Sequence, residues 1–424
     1  MDIRSRIILP IASLRHRDFR LFYTALVVAG LGSQVQSTAN IWQIYQLTGS
    51  AFYLGLTGLV RALPILALSL MGGVIADRVD RRRFIIVTQA VAGCFSLVLA
   101  WLTFTGDIQL WHIYSVTFLN SSLTALNAPA RSAIIPNIVP KQNLLNAFAL
   151  NSTVWQISNI LGPAIGGVCI GLFGLATTYL VNGVAHLVTL AALMAMHLSR
   201  VTAPSRKSTL KALAEGMSFL RKHSIIPILL GMDSAAMFFG SYRVLMPIFA
   251  DNLGAGAEGL GLLLSMSGVG AIVSAGMIMS LGDVRYKGRF VLAGILSYCC
   301  CLVGLAVTPW FALALLMSAA LGFSDSVQAI PRNTVIQAIT PDEIRGRVSS
   351  FQSMLTNGMP SLGQMQVGAV ASLIGAPLTL IVGAVLCATT VISVVFARSD
   401  VLSRDLGDTE EQPSTSAVQP APAP

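Results

Sequence analysis

The sequence predicts an all-α membrane protein: about twelve transmembrane helices in two pseudo-symmetric six-helix bundles. Three observations carry that prediction. Apolar segments of membrane-crossing length recur along the chain, basic residues alternate strictly with them, and two loop sequences repeat six helices apart.

Composition excludes an ordinary water-soluble domain. Apolar residues make up 54% of the chain, charged residues 11%, and mean hydropathy is +0.73. Soluble domains carry about 25% charged residues. With so little polar surface, most of the exterior must face lipid. The net charge of +9 is explained below by membrane orientation and attraction to anionic headgroups, so no nucleic-acid partner is expected.

A hydrocarbon core about 30 Å thick takes roughly 20 apolar residues of helix to cross. Spans are expected near 20–47, 52–76, 84–105, 109–130, 145–171 and 174–197. A second set follows near 225–249, 258–281, 290–307, 310–330, 348–373 and 376–397. Pro64, Pro163, Pro247 and Pro360 fall inside spans, where neighbouring helices re-satisfy the freed backbone groups. The first apolar stretch is too long for a cleavable leader and lacks a small-residue cleavage site, so it is expected to be retained.

Orientation follows from the basic residues. All but two of the 27 Lys and Arg residues lie on the side of the N-terminus, in the arm, in alternate loops, or in the tail. The exceptions, Arg61 and Arg243, lie within spans. Such a positive-inside bias places both termini in the cytoplasm of a cell (inner) membrane. One helix more or fewer would destroy the alternation.

The loops are short except near the middle. There Leu210, Leu213, Met217 and Leu220 recur at helical spacing among basic residues. That segment is either an amphipathic helix on the inner membrane face or a solvated helical linker. The polar, Pro-rich end is expected to be disordered. The expected organisation is an N-terminal bundle at 1–199, a linker at 200–224, a C-terminal bundle at 225–398 and a tail at 399–424. All six cysteines fall in apolar spans and read as small buried residues; no metal or cofactor is expected.

Two loops repeat. GGVIADRVDRRRF (72–84) matches SLGDVRYKGRF (280–290), aligning Asp77 with Asp283 and Phe84 with Phe290. RSAIIPNIVPK (131–141) matches RNTVIQAITPD (332–342), aligning Arg131 with Arg332 and Pro140 with Pro341. Parallel repeats of this kind belong to transporters whose halves rock about a central site.

The first of these loops resembles the signature of the major facilitator superfamily: glycine, three residues, Asp-Arg, one residue, then Gly-Arg-Arg. The chain carries Gly73, Asp77, Arg78, Arg81 and Arg82, with Asp80 in place of the second glycine. The resemblance implies a conformational latch that also draws on Arg131, Asp283 and Arg332. A carboxylate at a helix end accepts charge-assisted hydrogen bonds, which suits a switch; a plain positive-charge anchor is the other reading. On the fifth span Gly162, Pro163, Gly166 and Gly167 resemble the GPxxGG end of the antiporter and exporter motif, with Ser158 in place of its upstream glycine. Glycine and proline there would kink the helix and admit a close neighbour, for which Gly261, Ser265, Gly268 and Gly270 offer a face. Tight packing alone is the alternative. RHRDFRLF (15–22), YQLTGSAFYLGL (45–56) and ITPDEIRGRV (339–348) extend the resemblance to the enterobactin-exporter and macrolide-efflux-like subgroup, over about 14–398.

Ionisable residues within spans are costly and mark pathways. Arg61, Asp233, Arg243 and Asp325 are the four that stand out. Asp233 is the first candidate for proton coupling and Asp325 the second, since burial raises a carboxylate's proton affinity; Asp325 is alternatively a structural partner of Arg332. Arg61 or Arg243 is placed to meet an anionic substrate. Ser33, Gln36, Asn40 and Gln43 form a polar stripe that either lines a cavity or packs helices together. Asn151, Trp155 and Asn159 form another polar face. The substrate cavity is therefore expected at Gln36, Asn40, Arg61, Asn151, Trp155, Asp233 and Arg243.

The function implied is proton-coupled export of a small amphipathic organic compound, drug or siderophore-like, by a monomer in the lipid bilayer. An uptake permease on the same fold is the second reading, and a non-transporting sensor the third. No nucleotide-binding loop, zinc-protease motif or Ser/His/Asp cluster supports an enzyme.

Overall fold

The computed structural model describes residues 13–196, 225–282 and 287–397. The linker 200–224, Asp283 and the tail 399–424 lie outside the described residues, as do the side chains of Gly73, Asp77 and Arg78.

Helices dominate, in an order that follows the apolar segments. They are α1 (Arg17–Thr48), α2 (Ala51–Arg78), α3 (Arg81–Thr105), α4 (Leu110–Ile138) and α5 (Leu144–Met194). Then come α6 (Ile225–Phe239), α7 (Met246–Asn252), α8 (Gly256–Leu281), α9 (Lys287–Val307), α10 (Phe311–Ile339), α11 (Asp342–Ile374) and α12 (Ala376–Ala397). Among the described residues, seven helical stretches are long and apolar enough to cross a membrane.

One expected boundary becomes a sharp turn inside a single element, and one new break forms. The fifth and sixth spans are the two legs of α5, which turns at Gly174 with φ 80° and ψ 173°. Only glycine enters that region without steric cost. Pro163 lies inside the first leg, and the turn at Gly174 separates that leg from the second. The seventh span, expected to be continuous, breaks between α6 and α7 into a 3-10 turn, Tyr242–Leu245. Tyr298 Oη donates to the Gly240 carbonyl at 2.7 Å there, and Ser241 Oγ donates to Pro360 O at 3.1 Å. The first bond satisfies a carbonyl that a broken membrane helix would otherwise leave bare, and the second ties the break to α11.

α4 and α10 run further than their apolar cores. Each was expected to end near residues 130 and 330, but they continue to Ile138 and Ile339. Helical hydrogen bonds do not stop where apolar composition stops. Arg131 and Arg332, expected in loops, are consequently helical residues.

In the first half α1 packs on both legs of α5, α3 on α5, and α2 on α4. In the second, α8 and α9 pack on α10, α9 on α12, and α6 on α11. The halves meet through α2 with α11 and α5 with α8. A Cβ built on Gly55 would lie 2.7 Å from Gly368 Cα, and one on Gly167 would lie 2.8 Å from Gly261 Cα. Backbones touch at these points, which accounts for the small residues. Tyr45 Oη adds a hydrogen bond of 2.7 Å to Asp251 across the halves. All of these contacts lie toward the face opposite the chain termini.

Candidate functional site

The central feature is a buried polar ladder in the second half. Asp233 of α6 and Arg332 of α10 form an ion pair, each side chain 3% exposed. Gln328 Nε2 donates to Asp233 Oδ1 at 3.0 Å and to Asp325 Oδ1 at 3.1 Å. Asp325, Gln328 and Arg332 are spaced by three and four residues, so one face of α10 carries all three. Beyond Asp325 lie Tyr298 and the break after α6, where Ala236, Met237 and Ile295 close around it.

Depth follows from the helical rise of about 1.5 Å per residue. Asp325 stands fourteen residues from the terminal-side end of α10, which is close to mid-membrane. The extension of α10 to Ile339 puts it there rather than near the inner end. Arg332, expected to serve the latch, instead lies one to two turns shallower and neutralises Asp233. Asp325 has no cation within ion-pairing distance among the described residues, which excludes the expected structural pair with Arg332. Gln328 escaped the sequence reading because an amide raises no charge alarm. Its position between Asp325 and Arg332 on one face was the available signal.

Arg81 and Arg82 bond to carbonyls of the first half. Arg81 Nη1 donates to Ala133 O of α4 at 3.0 Å. Arg82 donates through Nε to Leu193 O at 3.0 Å and through Nη2 to Met194 O at 2.7 Å. Cations on the last carbonyls of a helix complement its dipole. Asp80 is the N-cap of α3 and accepts from the Arg83 amide at 3.2 Å. Capping explains its presence at a glycine position of the resembled signature. Arg131 is half-buried in α4.

The α1 stripe divides. Gln36 is buried and accepts from Ser96 Oγ at 2.8 Å and from Asn182 Nδ2. Gln43 donates to Thr103 Oγ1 at 3.1 Å and accepts from Tyr179 Oη at 2.7 Å. These are bonds between α1, α3 and the second leg of α5, so Gln36 belongs to helix packing and not to a cavity wall. Asn40 is half-buried and donates to Thr117 Oγ1 at 3.3 Å. Ser33 is exposed, Asn151 is half-buried and Trp155 is 65% exposed. Gln34, which the stripe omitted, donates to Asn159 beside Trp155.

The α5 motif packs as its small residues require. Gly162 faces Gln34, Gly166 faces Val35 and Thr38, and Gly167 faces Gly261. Ser265 is buried and Gly268 meets Ile160, whereas Gly270 turns away to Ala319 of α10.

A helical bundle that crosses the membrane repeatedly, with charges paired inside its spans, is a multi-pass membrane transporter. The family model described as transmembrane secretion effector (MFS_3) matches residues 8–420, and the chain belongs to this family of the major facilitator superfamily. Among curated relatives, the enterobactin exporter EntS of Shigella boydii serotype 18 (strain CDC 3083-94 / BS512) is 23% identical over 358 residues. That alignment covers 84% of this chain and 86% of the exporter. The same figures hold for the enterobactin exporter EntS of Escherichia coli O81 (strain ED1a). The fold is shared with a bacterial homolog of the human lysosomal transporter Spinster, solved inward-facing and unoccupied. That match has a TM-score of 0.73 at 14% identity and covers 94% of this chain and 98% of that one. The nucleoside transporter NupG matches with a TM-score of 0.68 at 13% identity, over 91% of this chain and 99% of its own.

Proposed function

We propose that the protein exports a small amphipathic organic compound by alternating access, driven by protons, with both termini in the cytoplasm and each monomer complete in the inner membrane. The observation that carries this reading is the ladder Arg332, Asp233, Gln328, Asp325. It joins a neutralised ion pair to a carboxylate that has no cation within ion-pairing distance among the described residues.

The ladder orders the two coupling candidates. A proton on Asp233 must displace Arg332, whereas a proton on Asp325 breaks no ion pair. Asp325 is therefore the proton carrier, and Asp233 holds Arg332 in place. This reverses the order expected from sequence. When Asp325 is neutralised, Gln328 loses a charge-assisted hydrogen bond within α10 and is free to turn fully toward Asp233 of α6. Contact between the halves on the far face, with the terminal side free of comparable approaches in the residues named above, supports a state open to the cytoplasm. Substrates are taken to be drug or siderophore-like because the relatives are named as enterobactin exporters.

The test is transport in proteoliposomes and in cells, with a compound panel and a proton uncoupler. Lower accumulation that the uncoupler abolishes supports export, and higher accumulation supports an uptake permease. Asp325→Asn is expected to abolish proton-driven transport while leaving substrate exchange in the absence of a gradient. Unchanged gradient-driven transport by that variant refutes the assignment.

A further inference from the structure

Arg61 and Arg243 are the two basic residues that the orientation pattern leaves inside spans. Neither has a hydrogen bond or ion pair among the described residues. The fold nevertheless brings them together. Arg61 follows Gly58 by three residues on α2, and Gly58 abuts the Ser361 carbonyl of α11. Arg243 follows Ser241, whose hydroxyl bonds the adjacent Pro360 carbonyl at 3.1 Å. The turn Tyr242–Leu245 also packs on α2 and α11. Both arginines thus converge on one stretch of α11 from opposite halves, and the two guanidinium groups repel each other.

The Arg61 side chain is exposed. A guanidinium facing lipid at this depth would be costly, so its exposed surface is assigned to an internal cavity. Arg61 stands ten residues from the far-side end of α2, just inside the point where Gly55 and Gly368 close that face. The carboxylate that Arg243 feels is Asp325, which lies beyond ion-pairing distance and is bonded to Gln328. Asp233 is neutralised by Arg332. The floor of the cavity therefore carries excess positive charge shared between the two halves.

We propose that Arg61 and Arg243 form a clamp for an oxyanion, and that the transported compound carries a carboxylate, phosphate, sulfonate or ionised phenol on an apolar body. Guanidinium groups suit this role because they stay charged and present paired donors to such groups. Bound anion removes the repulsion between the halves, so the substrate itself stabilises closure of the far face. The proposal rests on the transport reading for its purpose, but not on export or on proton coupling.

Binding distinguishes the two. Purified protein in neutral phosphatidylcholine nanodiscs is titrated with radiolabelled naphthalene-2-carboxylate, its uncharged carboxamide and the matching naphthylmethylamine. The carboxylate is expected to bind saturably and at least about tenfold more tightly than either analogue. Arg61→Gln and Arg243→Gln are each expected to remove most of that preference, and Arg61→Lys to keep part of it. Monodispersity and melting temperature establish that each variant folds. Equal binding of acid and amide, preference for the amine, or no saturable carboxylate binding by the wild type would overturn the proposal. So would unchanged preference in both glutamine variants. Abolition of binding by phosphatidylglycerol in the nanodisc would assign the clamp to a lipid headgroup and overturn the substrate assignment. Failure of gradient-driven transport with carboxylate binding intact would refute the proposed function and leave the clamp standing.

Discussion

Removing Arg332 tests the ladder at its best-defined point. In Arg332→Met the Asp233 carboxylate, 3% exposed, keeps the Gln328 hydrogen bond of 3.0 Å but loses its counter-charge. Stripping one partner from a buried ion pair costs about 3–5 kcal/mol, mostly the penalty of the uncompensated charge. Because Gln328 remains, the lower part of that range is expected. At roughly 2 °C or more per kcal/mol for a large chain, melting should fall by about 5–10 °C. Asp233→Asn should cost a similar amount, since it strands Arg332. The double variant removes both charges, and it should recover to within about 1 kcal/mol of the wild type, a coupling of about 5–7 kcal/mol given the two single losses. Melting is followed in one detergent at one scan rate, because such chains commonly unfold irreversibly. Additive losses in the double variant, or single variants that melt with the wild type, would refute the ladder.

Three further outcomes are expected. Gly167→Leu places a side chain against Gly261; overpacking of about 1–3 kcal/mol should shift the population away from the far-side-closed state, read as longer spin-label distances between the far ends of α5 and α8. Tyr45→Phe deletes the 2.7 Å bond to Asp251 and should weaken the same closure by only about 0.5–1.5 kcal/mol, in a distance distribution that broadens without moving fully. Asn182→Ala breaks the Gln36 and Ser96 network; it should lower melting by about 1–3 kcal/mol equivalent and leave the substrate KM unchanged, whereas a raised KM would return Gln36 to the cavity wall.

Much of the architecture was legible in the sequence because the bilayer imposes few solutions. Apolar length located most helices to within a few residues, and the match is close for α1, α2, α3, α8, α9 and α12. The misses share a cause. Reading a span as ending at its first charge cut α4 and α10 short of Arg131 and Arg332, whereas backbone hydrogen bonding continues regardless of side-chain charge. Composition likewise gave no warning of the break after Phe239, where Tyr298 arrives from α9 to satisfy the Gly240 carbonyl and Ser241 bonds to Pro360 of α11.

The site was legible in its residues and not in their pairings. Asp233, Asp325, Arg61 and Arg243 stood out because charge in a span is rare and costly. Which of them neutralises which is a matter of helix azimuth and depth, set by packing across about 100 residues of sequence separation, as in Asp233 with Arg332. The Gln36 stripe illustrates the same point, since period alone puts polar residues on one face without saying whether water or Asn182 lies opposite. By itself, then, the sequence determined a membrane-spanning helical bundle with a duplicated plan, because hydrophobic length, loop charge and repeats are one-dimensional properties. Only the tertiary structure decided that Arg332 pairs with Asp233 and that Asp325 has no cation within ion-pairing distance among the described residues, because ion pairing depends on distances between helices that no single helix encodes.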